Sequence, residues 1–275
     1  MLELNKIYCG DNIELIKQLD DNSIDMVITS PPYDNLRTYN KNEDIFNFDK
    51  FKILAKEMYR VIKEGSIIVW VVGDATINGC ETLTSFKQAI YFKDECGFNI
   101  HDIMIYQKFS VCYTHKNRYT NVFEYMFIIS KGIPKTVNLI KDKKNSLSGK
   151  YRSGNKRQKD GSLIPKTNTR QPINEYGVRG NIWLYNTGNN KSTKDKIAFQ
   201  HPAIYPEKLV NDHIISWSNK DYLILDPFMG SGTTAKMCIL NQRNFIGYEI
   251  NKEYVDIAEK RIQIAYKEID SRLFK

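Results

Sequence analysis

Two features that mark large classes of proteins are missing from this sequence: a long apolar run and closely spaced cysteines. The longest aliphatic and aromatic run, Ile67–Val72, is far shorter than the roughly 20 residues that a membrane helix needs. The cysteines, at positions 9, 80, 96, 112 and 238, are too widely spaced for a zinc knuckle or a redox pair, which favours reduced core thiols. The histidines, at positions 101, 115, 201 and 213, show no ligand spacing with cysteines or carboxylates, so we expect no metal site. The start, MLELNKIYCGD, lacks the basic and apolar segments of a signal peptide, which predicts a cytoplasmic protein.

Positive charge is concentrated in one segment. The chain has a net charge of +8, yet Lys131–Lys196 alone contains 16 Lys and Arg against 4 Asp and Glu. Its stretch KDKKNSLSGKYRSGNKRQKDGSL is poor in aliphatic residues and has no helical or strand period, which predicts a basic loop region. A solvated or disordered insertion has this composition. The alternative is a surface that contacts a phosphate backbone, because Lys and Arg that neutralise phosphates release counterions.

The rest of the 275-residue chain alternates short apolar strands with amphipathic helices, which predicts one compact α/β domain with a parallel, doubly wound sheet. Predicted strands are Lys6–Cys9, Asp25–Thr29, Ser66–Val72, His101–Lys108, Val122–Ile129, Tyr222–Leu225 and Asn244–Tyr248. Predicted helices are Phe48–Lys63, Glu81–Cys96, Thr233–Gln242 and Lys252–Glu268. In such sheets ligands bind beyond the carboxyl ends of the strands, so the residues after each strand are the candidate site.

The corner after Tyr222–Leu225 is DPFMGSGTT, followed directly by a helix. Gly230 and Gly232 permit a tight turn and close approach of the backbone to a ligand. The hydroxyls and amides that follow stand at a helix start, where anionic groups are favoured. An ordinary strand-to-helix turn is the alternative, and the pattern fits neither a P-loop nor the dinucleotide glycine spacing.

Two acidic corners accompany this loop. Glu249 ends the next strand, where a carboxylate can accept hydrogen bonds from ribose hydroxyls. Asp11 follows the first strand in YCGDN, although a helix cap for NIELIKQL is the commoner role of such a residue. Together the corners favour a nucleoside cofactor.

The corner after DMVIT is TSPPY. Pro31 and Pro32 have no amide hydrogen and disfavour helical geometry before them, which predicts a stiff, extended turn. The Ser30 hydroxyl and the Pro31 carbonyl form a rigid pair of acceptors, followed by the aromatic ring of Tyr33. This arrangement suits a flat ligand that bears an exocyclic amino group, such as a nucleobase.

TSPPY followed far downstream by DPFMGSGTT resembles the S-adenosylmethionine-dependent DNA amino-methyltransferases, in the β arrangement, where the catalytic motif precedes the cofactor motif. GDNIELIKQLDDNSIDMVITSPPY, IYQKFSVCYTHKNRYTNVFEYMFIISKG and QHPAIYPEKLVNDHIISWS are similar to other segments of that family. The resemblance covers nearly the whole chain, and it implies a Rossmann-like class I methyltransferase sheet, circularly permuted, with the basic segment as a target-recognition insertion. The implied parts are a catalytic half at 1–132, a target-recognition insertion at 133–196 and a cofactor half at 197–275.

The resemblance also implies a role for each motif residue. Ser30, Pro31, Pro32 and Tyr33 would be catalytic. The implied S-adenosylmethionine site consists of Asp11, His201, Pro202, Asp226, Pro227, Phe228, Gly230, Ser231, Gly232, Thr233, Thr234 and Glu249. In it Glu249 binds the ribose and Asp11 the adenine edge, while Thr233 and Thr234 help to hold the carboxylate; a packed corner is the alternative for His201. Candidate DNA contacts are Arg37, Tyr39, Lys143, Lys144, Lys150, Arg152, Lys156, Arg157 and Lys159.

The chemistry of an exocyclic amine explains the acceptor pair. Its lone pair is delocalised into the ring, so acceptors at Ser30 and Pro31 would draw the nitrogen toward tetrahedral geometry and align it with the methyl donor. Tyr33 would stack on a base flipped from duplex DNA. Ser30, where adenine-specific relatives more often have Asp or Asn, favours cytosine N4, with adenine N6 as the alternative.

Other functions fit parts of this pattern. A Pro-Pro-Tyr corner also serves families that methylate RNA or protein, but the basic insertion favours nucleic acid over protein. A non-catalytic DNA-binding subunit is disfavoured by the intact glycines, Glu249 and TSPPY. Within DNA methylation, the resemblance suggests a homodimer. The family includes enzymes of restriction-modification systems, but the sequence does not say whether a cognate restriction endonuclease is a partner here.

Overall fold

The chain forms two compact units in a computed structural model that describes residues 2–32, 46–109, 116–151, 154–165, 171–188 and 190–273. The larger unit comprises Met1–Asn138 and Asn181–Lys275, and the smaller unit is Leu139–Gly180. Within the described ranges, no helix is both long enough and apolar enough to cross a bilayer. Among the described cysteines, Cys238 is buried and Cys96 is partly buried against the core, as the prediction of core thiols requires, whereas Cys9 and Cys80 are exposed.

The larger unit is built on an eight-stranded sheet. Its strands are β1 (Lys6–Cys9), β2 (Ile24–Thr29), β3 (Ile62–Val72), β6 (Asn99–Lys108), β7 (Phe123–Ser130), β12 (Ile182–Tyr185), β13 (Leu223–Asp226) and β14 (Asn244–Glu249). Their order across the sheet is β1-β14-β13-β2-β3-β7-β6-β12. The same unit contains a hairpin of β4 (Thr76–Ile77) and β5 (Cys80–Glu81). Its helices are α1 (Asn12–Ile16), α2 (Phe48–Val61), α3 (Thr84–Asp94), α4 (Glu207–Trp217), α5 (Thr233–Leu240) and α6 (Lys252–Leu273), with a 3-10 helix at Lys196–Gln200.

The α/β prediction is confirmed, and the prediction of a purely parallel sheet is wrong at one strand. β7 runs antiparallel to both of its neighbours, β3 and β6. β3 and β6 run parallel to each other and are connected through α3. β7 follows β6 in the chain and lies between the two strands. Because β7 is antiparallel to β6, the connection between them needs no crossover helix. β12, which the sequence did not predict, adds the edge strand beside β6.

Helices cover both faces of the sheet. α1, α2 and α3 pack side by side, as do α4, α5 and α6. Alternate residues of the central strands, such as Val27 and Leu225, join the core of the first helical layer. Their neighbours Met26 and Ile224 are also fully buried. Burial on both faces explains why these strands are continuous apolar runs rather than alternating patterns.

This topology gathers the candidate corners. β1, β14, β13 and β2 are consecutive, parallel neighbours in the sheet. The register pairs Cys9 with Glu249 and Asp226 with Gly247. The corners after these four strands therefore lie side by side at one edge.

The smaller unit consists of short antiparallel pairs. β8 (Lys143–Lys144) pairs with β11 (Tyr176–Gly177), and β9 (Asn155–Arg157) pairs with β10 (Leu163–Pro165). An ion pair joins Arg179 to Asp142. The smaller unit lies within the segment 133–196, whose residues up to Asn138 and from Asn181 onward, including β12, belong to the larger unit.

Candidate active site at the carboxyl ends of the central strands

The Asp226 carboxylate joins the ends of β2 and β13. Its Oδ1 accepts hydrogen bonds from the Thr29 hydroxyl at 2.6 Å and from the Phe228 amide at 3.0 Å. Its Oδ2 accepts from the Thr234 hydroxyl at 2.5 Å and from the Tyr205 hydroxyl at 3.2 Å. Burial raises the pKa of Asp226, although these hydrogen bonds oppose the rise. Four donors thus occupy the carboxylate, which fixes the start of the glycine loop against the end of β2.

The glycine loop after β13 depends on two glycines with positive φ. Gly230 has φ of +51°, and its amide donates to Oε2 of Glu249 at 2.9 Å. Gly232 has φ of +80°, and a Cβ there would lie 2.7 Å from the Cβ of Ala258. A larger residue at 232 would therefore displace α6 as well as strain the backbone. The two glycines hold the loop close to β14 on one side and to α6 on the other.

The hydroxyl groups of this loop point to protein partners. Arg261 donates to the hydroxyls of Ser231, at 3.2 Å, and Thr233, at 3.1 Å. The hydroxyl of Thr234 donates to Asp226. All three side chains are buried. A contact between this helix start and an anionic ligand would therefore use backbone amides, whereas the sequence suggested hydroxyls as well as amides.

Glu249 is half-buried at the end of β14. Its Oε2 accepts from Gly230 and its Oε1 accepts from the amide of Asn251 at 2.8 Å. Burial raises the pKa of Glu249, and the backbone hydrogen bonds partly offset this effect. Each carboxylate oxygen has more than one lone pair, so Glu249 keeps acceptor capacity for a ligand hydroxyl.

Asp11 caps α1. Its Oδ1 accepts from the amides of Ile13, at 2.8 Å, and Glu14, at 3.3 Å, which is the helix-cap role that the sequence favoured for Asp11 taken alone. Asn12, which the sequence analysis did not single out, donates from Nδ2 to the carbonyl of Pro227 at 3.0 Å. The start of α1 is thereby tied to the glycine loop.

His201 lies against the glycine loop. Its ring is buried, and a Cβ on Gly230 would lie 3.0 Å from its Nε2. Nδ1 accepts a hydrogen bond from the amide of Ala203 at 3.1 Å, which in a neutral ring leaves the proton on Nε2. The ring also packs edge-on against Tyr254, with centroids 4.3 Å apart. His201, followed by Pro202, thus forms one wall beside Gly230.

The Pro-Pro corner follows the buried end of β2. Thr29, which pairs with Trp70 of β3, is fully buried, Pro31 is buried, and Ser30 and Pro32 are half-buried. Three predicted site residues, Tyr33, Arg37 and Tyr39, lie outside the described residues. The corner is anchored by the hydrogen bond between Thr29 and Asp226.

Aromatic residues surround Phe228 beside this corner. Phe46 packs edge-on against Phe228 with centroids 4.7 Å apart, and Trp70 lies 6.4 Å away, also edge-on. The sequence singled out neither Phe46 nor Trp70. Phe46 lies just before the helix predicted to begin at Phe48, and Trp70 lies within the longest apolar run. From the sequence alone, both are predicted to be ordinary core residues.

These residues fit S-adenosylmethionine. Two glycines bring the loop backbone close to its neighbours, and the half-buried carboxylate of Glu249 and the carboxylate of Asp11 follow adjacent strands, which is a chemistry that a nucleoside cofactor with an amino-acid end can use. No group of three or more potential metal-ligating side chains occurs among the described residues. The sheet order, the glycine loop and the adjacent Pro-Pro corner define a class I methyltransferase.

Comparison with known proteins narrows the class to a family. A family model described as DNA methylase, of the N6 and N4 methyltransferases, matches residues 24–260. The chain therefore belongs to this family of S-adenosylmethionine-dependent DNA amino-methyltransferases, as TSPPY and DPFMGSGTT predicted.

Individual relatives agree. The chain is 52% identical over 264 residues to the orphan methyltransferase M.BamHII of Bacillus amyloliquefaciens, covering 94% of this chain and 97% of that protein. Among solved structures, the cytosine-N4-specific PvuII DNA methyltransferase matches with a TM-score of 0.68 at 21% identity, covering 96% of this chain and 92% of the other. A complex of M1.HpyAVI with S-adenosylmethionine matches with a TM-score of 0.59 at 25% identity, covering 94% and 98%. The cofactor of the present protein is S-adenosylmethionine.

Proposed function

We propose that this protein methylates the exocyclic N4 of cytosine, flipped out of duplex DNA, at a specific sequence. The observation that carries the proposal is the hydrogen bond between Thr29 and Asp226, because it sets the Pro-Pro corner directly beside the glycine loop. Bound S-adenosylmethionine supplies an electrophilic methyl group on a sulfonium. The protein's task is then to hold an amine in line with that group.

The corner performs this task by accepting hydrogen bonds. The Ser30 hydroxyl and the Pro31 carbonyl accept the two amino hydrogens, which directs the nitrogen lone pair away from the ring and stabilises the positive charge that develops on nitrogen. Pro31 and Pro32 keep the acceptors rigid. Tyr33 stacks on the flipped base, an interaction worth about 1 to 3 kcal/mol, which is comparable to the cost of flipping.

The cofactor site comprises the glycine loop, Glu249, Asp11 and the His201-Pro202 wall. Glu249 accepts hydrogen bonds from the ribose hydroxyls, and the amides of the loop hold the amino-acid end. The aromatic ring of Phe228, braced by Phe46, borders the site next to the Pro-Pro corner. The glycine loop is held by hydrogen bonds within the protein, from Gly230 to Glu249 and from Arg261 to Ser231. These hydrogen bonds support a pocket that is already formed before the cofactor binds.

The smaller unit is the proposed target-recognition surface. Lys143, Lys144, Lys150, Lys156, Arg157 and Lys159 are all exposed there, whereas Arg152 lies outside the described residues. Exposed cations on short loops and hairpins can neutralise phosphates without regular structure. We expect the enzyme in the cytoplasm, where DNA is accessible to it, and a homodimer is the assembly that the resemblance suggests.

Ser30 favours cytosine over adenine as the target base, because the resemblance places Asp or Asn more often at this position in adenine-specific enzymes. The test is nucleoside analysis of DNA from a host that expresses the protein. N4-methylcytosine is expected. N6-methyladenine would show that the target base is wrong while leaving DNA amine methylation intact.

The catalytic assignment has its own test. Tyr33→Ala and Pro31→Ala should each keep the S-adenosylmethionine Kd of the wild type and lose methyl transfer to duplex DNA. If either variant lost only cofactor affinity, the assigned role of the Pro-Pro corner would be wrong.

A further inference from the structure

A buried cluster of four charges lies behind the glycine loop. Asp195 Oδ2 contacts Lys236 Nζ at 2.8 Å and Arg261 Nε at 3.0 Å. Glu207 Oε1 contacts the same two cations, at 2.9 Å and 2.7 Å. The Arg261 side chain is completely buried and that of Lys236 is 6% exposed. Two carboxylates thus share two cations, and the cluster is electrically neutral.

Arg261 connects this cluster to the cofactor loop. Its remaining amino group donates to the carbonyl of Ser231 at 2.7 Å, as well as to the hydroxyls of Ser231 and Thr233. The planar guanidinium spreads its donors over three separate nitrogens, whereas the donors of a lysine ammonium all radiate from one nitrogen and cannot span the distance between the carboxylates and the loop. One side chain on α6 therefore binds both the carboxylates and the loop.

The two carboxylates mark the ends of one segment. Asp195 precedes the 3-10 helix and Glu207 begins α4, so residues 195–207 are held at both ends by Lys236 and Arg261. This segment carries His201, against Gly230, and Tyr205, whose hydroxyl lies 2.6 Å from that of Thr234. The cluster thereby fixes the loop and the wall beside it as one assembly.

Stability alone is a poor reason for such a cluster. Burying charges costs desolvation free energy that mutual attraction only partly returns, so replacing a buried ion pair by apolar residues is often neutral or stabilising. The cations do hold Asp195 ionised: burial alone would raise its pKa, but hydrogen bonds from Lys236 and Arg261 outweigh burial and lower it. A fixed geometry with several charge-assisted hydrogen bonds is what the cluster offers beyond packing.

We propose that Arg261 is a positioning residue for S-adenosylmethionine binding, because it fastens the loop at Ser231–Thr233 to the carboxylates that hold both ends of segment 195–207. The inference rests on the proposed cofactor site. Arg261 acts through the loop and the wall, without contacting the reacting atoms.

The test compares Arg261→Lys with Arg243→Met. The lysine variant keeps a buried cation for Asp195 and Glu207 but cannot also reach the loop. Arg243 is the control. It donates to the hydroxyl and carbonyl of Ser218 and to the carbonyl of Asn241, so it too holds loops together. These loops precede β13 and β14, at the amino ends of the strands and away from the candidate site. Calorimetric titration should give about a tenfold higher S-adenosylmethionine Kd for Arg261→Lys, about 1.4 kcal/mol. Arg243→Met should lower the Tm with a Kd within twofold of the wild type.

A second variant covers the case in which Arg261→Lys does not fold. Glu207→Gln preserves the side-chain shape and weakens the hold on Arg261, so the Kd should rise about threefold. In steady-state assays both variants should raise the KM for S-adenosylmethionine while kcat at saturating cofactor stays within about threefold.

Two outcomes distinguish a failure of the inference about Arg261 from a failure of the proposed cofactor site. If both cluster variants bind S-adenosylmethionine within twofold of the wild type while their Tm falls, Arg261 only stabilises the fold and the inference is overturned. If Glu249→Gln binds as tightly as the wild type, the proposed cofactor site itself is wrong, whatever the cluster variants do.

Discussion

Thr29 and Asp226, 197 positions apart in the sequence, are joined by a buried hydrogen bond of 2.6 Å between their hydroxyl and carboxylate. Thr29 immediately precedes the proposed catalytic corner, and Asp226 lies at the start of the proposed cofactor loop. On the proposed function, the distance between the amine acceptors and the methyl donor depends on this hydrogen bond. Its removal should affect catalysis as well as stability.

Thr29→Val tests this hydrogen bond, because valine matches threonine in shape but leaves one donor missing at a buried carboxylate. We expect a decrease of about 1 to 3 kcal/mol in the free energy of unfolding, measured by denaturant titration, and a kcat reduced at least tenfold. Thr29→Ser keeps the hydroxyl and should retain most of the activity. Equal kcat for Thr29→Val and the wild type would show that the corner holds its position without Asp226.

Gly232→Ala should destabilise the protein and abolish S-adenosylmethionine binding. The new methyl group would combine a left-handed backbone with a contact of 2.7 Å to Ala258. Gly79→Ala is a matched control, since Gly79 has the same φ of +80° with no atom within 4 Å of its Cβ position. The control should cost about 1 to 2 kcal/mol for the backbone alone, and Gly232→Ala about 1 to 3 kcal/mol more for overpacking. Thermal unfolding and calorimetric titration measure the two effects, and similar destabilisation in both variants would contradict the close approach of α6.

S-adenosylmethionine affinity should fall on acidification because of Glu249. A protonated carboxyl group is a poorer acceptor for ribose hydroxyls, and burial raises the pKa of Glu249 above its ordinary 4.5. The fall should therefore begin at a higher pH than an exposed glutamate would give. Calorimetric Kd values across the acidic range measure it. Glu249→Gln should bind more weakly at neutral pH and lack the acid dependence; an unchanged pH profile in that variant would contradict the role of Glu249.

Asp195 should make stability depend on pH in the acidic range. Its folded pKa is lowered below the ordinary 3.8, so its ion pairs contribute fully above the unfolded value and are lost as the pH falls through the folded value. Asp195→Asn should flatten this part of the curve of unfolding free energy against pH. An identical acid dependence in wild type and variant would show that other carboxylates dominate.

Removing positive charge from the smaller unit should weaken DNA binding uniformly across sequences. Changing Lys143, Lys144, Lys156 and Lys159 to Gln should reduce the slope of log affinity against log salt by about 0.9 for each phosphate that the protein no longer neutralises. The S-adenosylmethionine Kd should not change. A control that changes the exposed α6 residues Lys260 and Lys267 to Gln should leave the slope unaltered. Fluorescence anisotropy with labelled duplex measures both, and equal slopes in the two sets would contradict the proposed surface.

Local pattern was sufficient for most of the fold. The seven predicted strands occur within a few residues of their predicted bounds. The central strands are recognisable because strands buried on both faces must be continuous apolar runs, whereas β1 and β6 are partly exposed along their length. α4 was missed although Leu209, Val210, Ile214 and Trp217 are buried along it, since no glycine or N-cap side chain marks its start after Pro206. β12 has only four residues, too few for a period to appear.

The sequence by itself indicated the family and the cofactor, because TSPPY and DPFMGSGTT resemble known motifs in their order along the chain. It also placed the candidate corners, because glycine, proline and acidic residues at strand ends restrict the backbone locally. Only the tertiary structure decided the direction of β7 and the partner of each buried polar group. Arg261 illustrates the difference. It stands three residues after buried Ala258 and four before buried Ala265, a helical spacing that places a charge on the buried face without naming its partners. Those partners, from Asp195 to Thr233, come from separate segments of the chain, and a hydrogen bond between distant segments is fixed by packing that no local pattern encodes.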